Sequence, residues 1–144
     1  MSPKSLQNLE AALEIIFESD SLQNLCQRAV QSPAANKHYA GAHILLISEG
    51  KLNYDSGFGQ ELPAQHKELA LLAMASHKVE VAESHEPNNP TTIAVPFMVE
   101  DIAEAIGILV LAPGTHENCL TAELGQVVTK LAGFFLQKTI GLGH

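Results

Sequence analysis

The 144 residues fall within the span of one domain, and a 46% hydrophobic content suffices for an ordinary core. Eight Lys and Arg stand against sixteen Asp and Glu, a net charge of −8 with no basic run, which argues against direct nucleic-acid binding and against an anionic membrane surface. Two cysteines make no disulfide framework and no spanning or signal-like run is present, so reduced thiols and a cytoplasmic location are the expectation.

Residues 1–144 are read as a single domain. In chain order, Leu6, Leu9, Leu13, Ile16 and Phe17 fall at spacings of three and four, one helical stripe. Ser19-Asp20-Ser21 interrupts it and offers caps for a second helix carrying Leu22, Leu25, Cys26, Ala29 and Val30, which stops before Ser32-Pro33. Ala42 to Ser48 is a short apolar run followed by the turn signal Glu49-Gly50-Lys51, with Leu52 to Ser56 as the returning strand. Gly57 to Pro63 reads as a loop flexible at its glycines. A third helix follows from about Ala64 to Ser76, and its all-round apolarity predicts burial on more than one face.

Lys78 to Glu83 alternates with period two, as a half-buried or edge strand does, and His85 to Pro90 is a loop. Thr92 to Val99 and Ala105 to Leu111 are the strongest strand signals. Their connection, Glu100 to Glu104, is short enough to require an antiparallel pair. A final helix is predicted with Thr121 as its N-cap, a stripe of Leu124, Val127, Val128, Leu131, Phe134 and Phe135, and an end at Gly141 and Gly143. Strands and helices in this non-alternating order predict an α+β fold around a mostly antiparallel sheet.

The segment Val95-Pro96-Phe97, a hairpin, then Ile106-Gly107-Ile108-Leu109, taken with this element order, resembles the GAF family of small-molecule sensor domains. The hairpin is a residue or two longer than usual there and lacks the turn glycine. The resemblance implies a central sheet of five or six strands, with the N- and C-terminal helices on one face and the middle helix and loops on the other. It further implies a signal-transduction or transcription-regulating context, a homodimer through the first and last helices, and an output domain in a longer chain. It names no ligand or cofactor. Placed on a cavity of that type, the ligand-binding candidates are His43, Tyr54, Phe58, His66, Ile93 and Phe97, with a cavity expected beneath Gly57–Pro63.

Three specialised classes of the family find no counterpart. Bilin carriers place a cysteine between the middle helix and the Val-Pro strand, members that reduce free methionine sulfoxide need a cysteine set in the pocket loops, and cyclic-nucleotide binders carry an Asn-Lys-Phe-Asp-Glu-like signature. Cys26 sits on a helical stripe and reads as core; Cys119, ahead of a helix N-terminus, reads as either a loop residue or a sensor thiol. His85-Glu86 and His116-Glu117 lack the second histidine of a zinc helix, and His66, His77 and His85 have no ligand spacing, so no metal is expected. No nucleophile-elbow pattern occurs. The expectation is a sensory domain without catalytic activity that binds a small molecule or partner; the alternative is a structural dimerisation module with no working pocket.

Overall fold

A computed structural model describes residues 19–31, 39–83, 91–112 and 122–140. The predicted first helix, the caps and ends of the last one, Cys119 and the loop from His85 to Pro90 lie outside the described residues. Eight elements follow in order: α1 (Leu22–Gln31), β1 (Tyr39–Ser48), β2 (Lys51–Gly59), α2 (His66–Ser76), β3 (Glu80–Ala82), β4 (Thr92–Val99), β5 (Ile102–Leu111) and α3 (Ala122–Ile140). The strands form one five-stranded sheet, order β2-β1-β5-β4-β3, and every neighbouring pair is antiparallel. This is the α+β arrangement that the residue pattern predicts.

Side chains alternate between the two faces of the sheet, and the two faces bury different helices. On one face, Ala42, Ile44, Phe97 and Ala105 meet Leu22, Leu25, Cys26 and Ala29 of α1 and Ala132, Phe135 and Leu136 of α3. Ile93, Val95 and Leu111 continue that layer toward β3 through Tyr39 and Leu109. On the other face, Leu45, Ala94, Ile106, Ile108 and Val110 pack under Leu69, Ala70 and Ala73 of α2, with Leu62 joining from the preceding loop. α1 and α3 thus share one face, and the middle helix α2 takes the other.

Local chemistry accounts for the boundaries. Ser21 caps α1, its hydroxyl accepting from the Asn24 N–H at 3.0 Å. Glu49 and Gly50 make the two-residue turn between β1 and β2, both with positive φ (53° and 75°), as a type I′ hairpin turn demands. β2 runs on to Gly59 where the sequence predicts a loop, because residues 57–59 stay in register against His43, Ala42 and Gly41 of β1. The β4–β5 connection is also tighter than predicted. Val99 pairs with Ile102, so Glu100 and Asp101 alone form the turn, with Glu100 at φ 58° in the place a glycine would occupy. The surplus residue is Glu104, bulged between the Phe97–Ala105 and Met98–Ala103 pairs.

α2 departs from the prediction in another way. It buries Leu69, Ala70 and Ala73 but leaves Leu71 and Leu72 exposed, since only its sheet-facing side has a layer beneath it among the described residues. In α3, Phe135 is buried while its neighbour Phe134 is 58% exposed. Among the described residues no helix is long and apolar enough to cross a membrane.

Candidate functional site

α2 lies chiefly over β4, β5 and β3, and the β1–β2 end of that face is at its margin, reached through Leu45. There the β1 pattern puts His43 in line with Leu45 and Ile47, facing inward. The ring is buried, 6% exposed, and both of its nitrogens are engaged. Nε2 lies 2.6 Å from the Gln60 carbonyl, which can only accept, so Nε2 carries the proton of the neutral ring. Nδ1 is then an acceptor, and the Tyr54 hydroxyl, 3.0 Å away, donates to it. The two rings are tilted by 50° with centroids 5.8 Å apart.

Tyr54 is the outward end of this relay, 57% exposed. Desolvation is the main cause that pushes its phenol above the ordinary value, so it stays protonated at neutral pH. With its proton committed to His43, the phenolic oxygen offers lone pairs to whatever sits in front of it. Gly57 makes room for the arrangement: it stands opposite His43 in register, and a Cβ there would collide with both the Tyr54 hydroxyl and His43 Nδ1.

His66 begins α2. Its Nδ1 donates to the Pro63 carbonyl at 2.7 Å, alongside the backbone bond from His66 N–H to the same oxygen at 3.1 Å, which leaves Nε2 of the neutral ring as an acceptor. The structure therefore joins His43 directly to Tyr54 and places His66 at the far end of the loop that His43 anchors through Gln60. It does not bring the other three candidates to this face. Phe58 packs against the α1 layer, Ile93 is fully buried among Val95 and Leu111, and Phe97 is buried between α1, α3 and the sheet. The reason is strand parity: each points to the face opposite His43. Gln60 and Gln23 escape the sequence reading because both act through polar contacts to or from backbone atoms, which residue type does not signal.

Cys26 lies on the α1 side. Burial first, and Asp55 second, push its thiol from 9.0 to about 12, so it carries no thiolate at neutral pH. Among the described residues no group of three or more His, Cys, Asp or Glu side chains is placed to hold a metal ion.

The layered sheet with α1 and α3 on one face and α2 on the other is the GAF fold. A GAF domain of an Acinetobacter phosphoenolpyruvate-protein phosphotransferase superposes with a TM-score of 0.65 at 16% identity, covering 100% of this chain and 99% of that one. The free methionine-R-sulfoxide reductase of Neisseria meningitidis, solved with its substrate, gives 0.67 at 12% identity, covering 98% and 95%. A GAF sensor protein of Burkholderia vietnamiensis gives 0.61 at 12% identity, covering 98% and 95%. No protein-family model matches the chain, and no curated protein matches it in sequence.

One expectation is corrected by these similarities. The sequence reading takes the domain to be without catalytic activity, yet reductases from Neisseria meningitidis, Thermoplasma acidophilum and Staphylococcus aureus are enzymes built on this fold. The fold houses catalysts as well as sensors, and membership of one group or the other is a matter of site chemistry.

Proposed function

We propose that this chain is a regulatory GAF-like domain that takes up a small molecule around His43 and Tyr54 and passes the occupied state to its terminal helices. The supporting observation is the His43–Tyr54 pair itself. A buried imidazole, fixed at Nε2 by the Gln60 carbonyl, holds an exposed phenol at the β1–β2 end of the sheet face, at the margin of α2. Preorganised polar groups beside an apolar layer are what a small-molecule site needs to orient its ligand. Because the Tyr54 oxygen and His66 Nε2 both present acceptors, the ligand that fits carries N–H or O–H donors.

In this reading the domain works in the cytoplasm as a homodimer joined through its terminal helices, within a longer signalling or transcription-regulating protein. A ligand shifts such a switch only by its unequal affinity for the two states. Thermal shift against a panel of metabolites and nucleotides tests it; free methionine sulfoxide belongs in that panel because enzymes acting on it share the fold. A saturable rise in melting temperature that Tyr54→Phe weakens supports the site. A panel without any response, or a response that Tyr54→Phe leaves intact, removes it. Phe134, exposed on α3, favours a second reading in which dimerisation is the whole role; a tight dimer that responds to no compound is its signature.

A further inference from the structure

The His43–Tyr54 site and α1 lie on opposite faces of the sheet, and one residue touches both. Gly57 belongs to β2, the edge strand, and pairs with His43 on its inner side. Its own backbone groups are taken by Gln23 of α1. The Gln23 side-chain amide donates to the Gly57 carbonyl at 2.7 Å, and the Gly57 N–H donates back to Gln23 Oε1 at 3.3 Å. A carboxamide offers the same donor and acceptor pair as a peptide group, so Gln23 stands in at this point for the strand that an edge lacks. On the opposite side of the same residue, the space of a missing Cβ is filled by the Tyr54 hydroxyl and His43 Nδ1.

We propose that Gly57 and Gln23 form the relay by which the state of the His43–Tyr54 pair is communicated to α1. A ligand that draws the Tyr54 hydroxyl off His43 changes what packs against the Gly57 Cα. Any displacement of Gly57 alters two hydrogen bonds that end on a single α1 side chain. Gln23 sits in the first turn of that helix, next to the Ser21 cap and directly after the buried Leu22, so the pull is delivered where α1 is fixed to the core. Gln23 is a positioning residue in this scheme, since it touches the site only through Gly57. The proposal rests on the ligand reading for its purpose, but the linkage between Tyr54 and α1 exists with or without a ligand.

The test uses the full chain and no ligand. Backbone and side-chain amide resonances are compared by NMR for the wild type, Tyr54→Phe, Gln23→Ala and the double variant. Phenylalanine keeps the ring and removes only the hydroxyl, so direct ring effects on α1 are nearly unchanged. Tyr54→Phe is expected to move the Gln23 side-chain amide and the α1 backbone amides, and to speed exchange of the Gly57 amide by roughly tenfold. In the Gln23→Ala background the α1 response to Tyr54→Phe disappears while the response within β1 and β2 remains. An α1 response of equal size in both backgrounds, or none in either, overturns the relay. If α1 responds through Gln23 but no compound raises the melting temperature, the ligand reading fails and the relay stands; the opposite pattern separates them the other way.

Discussion

His43 is held at both ring nitrogens, so its removal and the removal of its partner should cost different amounts. Tyr54→Phe leaves one acceptor, Nδ1, short of a donor beside an exposed ring, and the expected loss is about 1 kcal/mol. His43→Ala strands the Gln60 carbonyl and the Tyr54 hydroxyl and opens a void in a buried position, for a loss of about 2–4 kcal/mol. Urea unfolding of both variants checks the order; equal losses would mean that the second bond, to Gln60, contributes little. Cys26 sets a pH dependence of its own. The folded thiol keeps its proton up to about pH 12, whereas the unfolded one loses it near 9.0. The folded state therefore binds the proton more tightly, and the stability linked to it is complete below pH 9.0 and declines as pH climbs toward 12. Urea midpoints measured between neutral pH and the alkaline limit should fall less steeply in Cys26→Ala than in the wild type, and parallel curves would show that the thiol is not the source.

At the scale of elements, α3 and β4 approach closely. A Cβ on Gly133 would run into the Met98 carbonyl, a backbone atom that cannot swing aside. In most helices Gly→Ala gains about 1 kcal/mol of helix propensity; here overpacking should reverse the sign. Gly133→Ala is expected to lose about 2 kcal/mol as α3 lifts from the strand, read as a lower urea midpoint. A gain would show that the helix can shift without penalty. The sequence does not announce this glycine, since a helical pattern tolerates one without saying why. It does announce the elements themselves: Leu22, Leu25, Cys26 and Ala29 mark one face of α1, and the Thr92–Leu111 stretch marks a hairpin whatever its turn. What stays hidden is detail that pairing decides. β2 extends through Gly57 and Gly59 because β1 is there to receive them, and Glu100 takes a positive φ because the Val99–Ile102 pair leaves only a two-residue turn.

At the scale of the molecule, the sheet separates a candidate site from the helices expected to report on it, and parity explains why that division was half legible. His43 and Tyr54 are recognisable as polar residues within strands, but Phe58, Ile93 and Phe97 are equally plausible until each strand's inward face is known. The terminal-helix face poses the remaining question. Phe135 and Leu136 of α3 reach the sheet, whereas Phe134 projects with 58% of its surface exposed. A single exposed aromatic is unremarkable on a large protein, but on a helix proposed to join two copies it falls where a two-fold contact would use it twice. Aromatic anchors near the centre of such contacts carry much of the binding energy. Phe134→Glu should then weaken self-association by about a hundredfold or more, followed by sedimentation across a range of concentrations. Because the side chain adds little to the monomer core, the same substitution should leave urea unfolding under monomeric conditions within about 0.5 kcal/mol of the wild type. A dimer that survives Phe134→Glu undiminished places its interface away from this face of α3.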